Sequence, residues 1–139
     1  MDWTIEFDKA IEQYLPDLEV LQDEPMSRHT TFRIGGPAKR MAFPSSREQL
    51  VLLMSFAKNY GANPLVIGNG SNLLVPDEGL DRLVIDTSAN LNRVERGSGN
   101  TVLADAGATL ARTADLACKS GLTGLEFAHG IPGTVGGGV

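Results

Sequence analysis

The sequence predicts an α+β protein with mixed sheets, and three observations support this fold class. Amphipathic segments with helical spacing are separated by several short apolar runs, each of strand length. The helices and strands do not alternate strictly, which disfavours a doubly wound parallel sheet. The 139 residues are 42% apolar, which is enough to build a core in one domain or two small subdomains.

Three helices are predicted, over residues 4–15, 45–60 and 109–119. In the first, apolar residues recur at four-residue spacing and acidic residues occupy the opposite face. Ser45 and Glu48 form a capping box at the start of the second helix, and Gly61 ends it. Thr109 is expected to cap the third helix. Cys118, in the last turns of that helix, is expected to be a buried small apolar residue and not a nucleophile.

Short apolar or alternating runs predict the strands, over residues 19–25, 30–34, 40–44, 65–67, 73–75, 82–85, 91–95 and 101–105. The second of these rests on Thr30, Phe32 and Ile34, which alternate with polar neighbours. Arg33 in that run could contact a phosphate, although a solvated strand face is the simpler interpretation. A turn-forming segment joins the last two strands, which predicts a hairpin.

The chain is organised around residues 65–75, which read LVIGNGSNLLV. Gly68 and Gly70 leave room for a ligand near the backbone, and successive N–H groups in such a turn form an anion site. A dinucleotide fingerprint is excluded because Leu73 replaces its last glycine, and no Gly-Lys-Ser/Thr phosphate loop occurs. An ordinary Asn/Gly hairpin turn is the alternative to a ligand loop.

The last ten residues contain five glycines that alternate with bulky apolar residues. Flexible linkers are usually Gly/Ser-rich without such residues. The pattern is therefore typical of backbone that runs closely against something flat, and a disordered tail is the alternative.

Charge and composition exclude several classes of protein. The net charge is −5, with −7 in residues 1–24 and +2 in the remainder, and no basic run suggests nucleic-acid binding. A faintly basic body suits an anionic small molecule. No apolar run reaches the roughly 20 residues of a membrane span, and the acidic start does not resemble a secretion signal. With one cysteine and two histidines, a zinc or iron–sulfur site is not expected. A single cysteine cannot form an internal disulfide, so a cytoplasmic location is the default expectation.

Four motifs together carry a family resemblance, and they occur in the order HTTFRIGGPA (29–38), VIGNGSNLLV (66–75), DAGATL (105–110) and GLTGLEFAHGIPGTVGG (121–137). On these motifs the chain resembles the UDP-N-acetylenolpyruvoylglucosamine reductases, which are flavoenzymes of peptidoglycan precursor synthesis. The resemblance implies an FAD-binding domain of the vanillyl-alcohol-oxidase (PCMH) type over residues 26–139. Residues 1–25 would then form an N-terminal helix and lead-in.

The resemblance also implies where FAD is held. The turn is expected to wrap the FAD diphosphate, and the glycine-rich segment is expected to lie along the ribityl chain and isoalloxazine. The implied cofactor-binding residues are Ile67, Gly68, Asn69, Gly70, Ser71, Asn72, Gly130, Ile131, Pro132, Gly133, Thr134, Gly136 and Gly137.

The family reaction passes a hydride from NADPH to FAD and then to the enolpyruvyl group of a UDP-sugar, giving UDP-N-acetylmuramate. The family's Tyr-Arg pair, protonating serine and C-terminal glutamate have no counterpart in these residues, so no catalytic residue is assigned. We expect the chain to be inactive alone and to be part of the larger enzyme. A stand-alone flavin-binding module and another oxidoreductase of the same flavin fold are the alternatives.

Overall fold

A computed structural model describes residues 2–139 of the chain. The α-helices are α1 (Thr4–Tyr14), α2 (Arg47–Tyr60), α3 (Leu110–Lys119) and α4 (Val135–Gly138). The strands are β1 (Glu19–Pro25), β2 (Pro37–Phe43), β3 (Leu65–Ile67), β4 (Leu80–Asp86), β5 (Val94–Arg96) and β6 (Val102–Ala104). Two 3₁₀ turns lie at Met26–Arg28 and Glu126–Ala128.

A mixed four-stranded sheet forms the larger part of the fold, with strand order β1-β2-β4-β3. Strand β1 is antiparallel to β2, whereas β4 is parallel to both of its neighbours, β2 and β3. The carboxyl ends of β2, β3 and β4 therefore lie at one edge of the sheet. A separate hairpin of β5 and β6 packs against α3. The predicted α+β class with mixed sheets is confirmed.

Helices α1 and α2 bury one face of the larger sheet. Phe7 and Ile11 of α1 and Leu53 of α2 pack with Leu83 and Ile85 of β4 in one apolar cluster. The four-residue spacing in α1 and the every-second-residue spacing in β4 put these side chains on facing surfaces. The N-terminal helix is thus part of the same core as the sheet.

Loops cover the opposite face of the sheet. Met41, Ile67 and Val84 project from the strands and pack with Met26 and Val75, which belong to loops. The prediction of a strand at residues 73–75 is wrong, because these residues cross the face of the sheet and none of them joins it. Their apolar character reflects this packing. The hairpin interpretation of the central turn also fails, because β3 pairs in parallel with β4.

The ends of the helices follow from local capping chemistry. Asp2 accepts hydrogen bonds from the backbone N–H and hydroxyl of Thr4 at the start of α1, which lowers the pKa of the Asp2 carboxyl to about 2. Helix α2 is capped by Ser46, which accepts from Gln49 N, and not by Ser45 as predicted. Ser45 instead donates its hydroxyl to the Gln49 side chain.

The remaining helix signals behave as predicted. Gly61 ends α2 in the left-handed conformation, at φ +72°. Thr109 caps α3 by accepting a hydrogen bond from Arg112 N at 3.1 Å.

Cys118, in the last turns of α3, is exposed, so the prediction that it is buried is wrong. The buried stripe of α3 consists of Thr113, Ala114 and Ala117.

The predicted strand at residues 30–34 does not form. Thr30 donates its hydroxyl to Ile34 O, and Arg33 N donates to Thr30 O, so the segment turns back on itself. Arg33 has φ +55°, which is incompatible with a strand. The segment is a loop beside the turn at residues 68–72, and the alternating apolar side chains Phe32 and Ile34 are largely exposed.

A bidentate ion pair fastens α1 to the sheet. Arg40 of β2 donates from Nε to Asp8 Oδ1 at 2.9 Å and from Nη2 to Asp8 Oδ2 at 2.6 Å. The Arg40 side chain is only 10% exposed, and its hydrogen bonds with Asp8 raise the pKa of the guanidinium. The planar fork of arginine matches both carboxylate oxygens, which makes such pairs stronger than single contacts.

We expect Asp8→Asn to lower the free energy of unfolding by about 1–3 kcal/mol, because it leaves a largely buried guanidinium without its charged acceptor. Urea denaturation measures this change. Glu12→Gln is the matched control, since Glu12 is an exposed acid of the same helix and the substitution removes the same charge. Equal stability of the two variants would contradict the assigned role of the pair.

Candidate functional site

The candidate site lies at the edge of the sheet where the parallel strands end. Residues 68–72 follow β3 directly, and Thr87 follows the neighbouring strand β4 and donates its backbone N–H to Ile67 O. In open sheets, ligands bind in the crevice outside the carboxyl ends of such strands. The topology therefore places the glycine-rich turn where a ligand site is expected.

The turn presents a run of unsatisfied donors. Within residues 2–139, none of the five backbone N–H groups of residues 68–72 donates a hydrogen bond to a protein atom. Backbone N–H groups are almost always paired when they are shielded from water, and consecutive free N–H groups form an anion cradle. The turn thus has the chemistry to hold a phosphate group without a cationic side chain.

Two glycines of the turn are required by close packing. A Cβ on Gly68 would overlap the hydroxyl of Thr134, which belongs to the glycine-rich C-terminal segment. A Cβ on Gly70 would overlap the carbonyl oxygen of His29, and Gly70 also has φ +65°. Thr31 N donates to Gly70 O at 3.0 Å and fixes the turn from the same side. The turn is therefore held between two other segments of the chain.

The C-terminal segment is folded against the start of α3, so the alternative of a disordered tail does not hold. Val135 N donates to Ala108 O at 2.8 Å, and Leu110 N donates to Gly133 O at 3.0 Å. Thr134 is 2% exposed, and its hydroxyl caps the short helix α4 by accepting a hydrogen bond from Gly137 N. This helix was not predicted, because glycines are poor helix formers.

The turn and the C-terminal segment meet. Ser71 donates its hydroxyl to Pro132 O at 3.1 Å, although the two residues are 61 positions apart. Between them lies a groove of about 410 Å³, within the usual range for small-molecule sites. Its lining residues are Leu65, Val66, Ile67, Gly68, Asn69, Gly70, Ser71, Asn72, Leu73, Leu110, Ile131, Pro132, Gly133, Thr134, Gly137 and Gly138.

Eleven of the thirteen predicted site residues line this groove, and Gly130 and Gly136 do not. Gly136 N instead donates to Ala106 O at 2.8 Å, and Gly130 has open space around it. Five further lining residues lie outside the predicted set: Leu65, Val66, Leu73, Leu110 and Gly138. The position of Leu110 depends on its backbone bond to Gly133, for which the sequence contains no local signal.

The donor set of the groove fits a flavin dinucleotide. Aliphatic side chains and glycine backbone offer flat apolar walls, and the free N–H groups offer partners for a diphosphate. No residue in the groove lining carries an acidic, basic or thiol side chain. The groove is therefore suited to binding and orienting a cofactor and not to proton transfer. Among residues 2–139 no cluster of His, Cys, Asp or Glu could hold a metal ion.

The fold and the groove define a flavin-binding domain. The sequence matches the FAD binding domain family over residues 38–139, and the chain belongs to that family. The expected α+β FAD-binding fold of the vanillyl-alcohol-oxidase type is confirmed. No helix within residues 2–139 has the length and apolar character needed to cross a membrane.

Particular relatives are UDP-N-acetylenolpyruvoylglucosamine reductases. The protein of that name from Agathobacter rectalis is 45% identical over 96% of the chain, and that from Moorella thermoacetica is 50% identical over 88%. Among solved structures, the reductase from Thermus caldophilus is 33% identical over 86% of the chain, with a TM-score of 0.59. The resemblance predicted from the four motifs is confirmed.

The chain spans less than half the length of these relatives. It covers 46% of the Agathobacter protein, 40% of the Moorella protein and 40% of the Thermus structure. The similarity therefore concerns the flavin-binding part of those enzymes.

Proposed function

We propose that the chain binds FAD and forms the flavin-binding part of an NADPH-dependent reductase that converts UDP-N-acetylenolpyruvoylglucosamine to UDP-N-acetylmuramate. The observation that carries this proposal is the groove between residues 68–72 and 131–134, in a chain whose relatives bear the name of that reductase. The ligands are FAD and, in the whole enzyme, NADPH and the UDP-sugar; nucleic acid, metal and membrane are not among them. A cytoplasmic location agrees with the single cysteine.

Two sets of residues would hold the cofactor. The free N–H groups of residues 68–72 suit the diphosphate, and Ile67 leads into that turn. Ile131, Pro132, Gly133, Thr134 and Gly137 form the opposite wall, where the ribityl chain and the ring would lie, and Gly130 and Gly136 flank that wall. Residues 26–139 would form most of the cofactor-binding domain. Residues 1–25, expected as a helix and lead-in, also supply α1, which packs on its sheet, and β1 (Glu19–Pro25), which is the sheet's outer strand.

When bound, FAD supplies the two-electron redox chemistry. The residues of the groove would bind the cofactor, orient it and exclude water from one side of it. Proton transfer needs a donor within hydrogen-bond reach of the reacting atom. The groove lining has no acidic, basic or thiol side chain, and the hydroxyl of Ser71 is already donated to Pro132 O. We therefore propose that the proton donor and the UDP-sugar site belong to the rest of the reductase.

Titration of the chain with FAD, followed by flavin absorbance and fluorescence, tests the proposal. We expect a perturbed flavin spectrum and flavin retained through gel filtration. NADPH oxidation in the presence of the UDP-sugar should not exceed the rate without protein. A folded chain that leaves the FAD spectrum unchanged would count against the proposed cofactor, and measurable turnover would overturn the assignment of the proton donor to the missing part.

A further inference from the structure

A second cavity adjoins the turn on the side away from the C-terminal segment. It measures about 500 Å³, and its lining residues are Arg28, His29, Thr30, Thr31, Arg33, Gly68, Asn69, Asp86 and Ser88. Gly68 and Asn69 also line the flavin groove, so the two cavities meet at the first half of the turn. Unlike the groove, this cavity is lined by cationic side chains.

The two arginines of the cavity are available for a ligand. Within residues 2–139, no carboxylate lies within ion-pair distance of the Arg33 guanidinium, and its side chain makes no hydrogen bond. Arg28 reaches only Glu24, at 4.0 Å, and its side chain is 71% exposed. Glu24 is engaged more closely by His29 Nε2, at 2.8 Å.

The cavity lining contains one carboxylate, Asp86, against the two guanidinium groups of Arg28 and Arg33. Asp86 is 6% exposed, and its Oδ1 accepts hydrogen bonds from the backbone N–H and the hydroxyl of Ser88, each at 2.7 Å, and from Ala89 N. This carboxylate is thus occupied in shaping the chain after β4. The cavity keeps a net positive charge beside the free N–H groups of Gly68 and Asn69.

The segment that carries the arginines is attached rigidly to the turn. Thr31 N donates to Gly70 O, and the carbonyl of His29 fills the space that a side chain at position 70 would need. Arg33 itself has φ +55°, an unfavourable conformation for a residue with a Cβ. Such backbone strain is found where the surrounding structure holds a side chain for function.

We propose that Arg33 binds the diphosphate of the flavin dinucleotide together with the N–H groups of Gly68 and Asn69, with Arg28 as a second charge. This inference rests on the proposed function and adds side-chain charge to the main-chain donors of the turn. A phosphate seated at those two N–H groups lies at the wall of the cavity that both arginines line. Guanidinium groups are well suited to such an anion because they donate several hydrogen bonds in one plane.

Calorimetric titration of Arg33→Gln with FAD at several salt concentrations tests this role. We expect FAD binding about tenfold weaker than in the wild-type chain, the effect of losing one charge-assisted hydrogen bond. The fall in affinity with added salt should be less steep, because one ion pair is lost. Arg33→Lys should recover part of the affinity and the salt dependence. Arg93→Gln is the matched control, because Arg93 is exposed and lines neither cavity.

Three results would overturn the inference while leaving the proposed function intact. The first is unchanged FAD affinity in Arg33→Gln, and the second is weaker binding with an unchanged salt dependence, which indicates a structural effect. The third is binding of ADP to the FAD-loaded chain that Arg33→Gln abolishes, which would assign the site to a different anion. If the wild-type chain binds no FAD, titration with inorganic pyrophosphate tests the anion site separately. Pyrophosphate binding that is lost in Arg33→Gln supports the site, and a wild-type chain that does not bind pyrophosphate overturns it.

Discussion

Gly70→Ala is expected to weaken FAD binding by at least tenfold. Alanine at φ +65° is unfavourable by about 1–2 kcal/mol, and its methyl group would overlap the His29 carbonyl. The turn must then move away from residues 29–31, which displaces its N–H groups from the positions that they hold in the groove. Each charge-assisted hydrogen bond lost to the diphosphate contributes about 1.5–3 kcal/mol. Fluorescence titration with FAD measures the effect, and circular dichroism verifies that the variant is folded.

Gly99→Ala provides the matched control for this substitution. Gly99 has φ +59°, close to that of Gly70, but a Cβ there would meet no atom within 4 Å. The two variants therefore share the backbone strain and differ in the overlap and in their distance from the groove. Equal loss of FAD affinity in both would show that the packing of the turn against His29 is unimportant for the site.

Leu53→Ala is expected to lower the free energy of unfolding by about 2–5 kcal/mol. Leu53 is fully buried between α2 and the sheet, where it packs with Phe7 and Leu83. Removing its side chain leaves a cavity in the core that α1, α2 and β4 share. Urea or thermal denaturation without flavin measures this loss separately from ligand binding.

The neighbouring residue of the same type supplies the control for Leu53. Leu52 lies one position earlier on α2 and is 41% exposed. Leu52→Ala should change the stability by less than about 1 kcal/mol, because surface substitutions away from the core have small effects. If both variants were destabilised equally, the assignment of the buried face of α2 would be wrong.

The elements that the sequence predicted well are those whose signals are local. Thr109 caps α3 and Gly61 ends α2 because a side-chain oxygen and a missing Cβ act on the nearest backbone. Strand β1 has the predicted bounds, and the hairpin of β5 and β6 forms around the predicted turn. In each of these cases the residues that decide the structure are close together in the chain.

The errors arise where an apolar pattern has more than one structural explanation. The alternation of Thr30, Phe32 and Ile34 fits a strand, yet the segment joins neither sheet. Thr30 bonds instead to Ile34 and Arg33 within the segment, and Thr31 N donates to Gly70 O of the turn. Val75 is apolar because it covers the sheet from outside, packed against Met26. Period-two and short apolar runs do not distinguish a strand from a loop that packs on one.

The candidate site was only partly predictable, because only some of its features are local in the sequence. The glycine-rich turn is a local feature, and its chemistry could be inferred from Gly68, Gly70 and Ser71. The contacts that make it a groove are long-range: Thr134 fills the space beside Gly68, and Ser71 donates to Pro132. Only the family resemblance suggested that these segments come together. Leu110 ends the DAGATL motif (105–110) of that resemblance but was not assigned to the site.

The bond from Ser71 to Pro132 has a consequence for how the groove forms. One wall follows β3 in the middle of the chain. The other is the C-terminal segment, which is joined to residues 106–110 by three backbone hydrogen bonds and not by a strand ladder. Such a wall can open while the sheet stays folded, because local stability varies within a protein. A dinucleotide that contacts both walls would stabilise the arrangement in which they meet. Cofactor binding and ordering of the C-terminal segment would then be thermodynamically coupled.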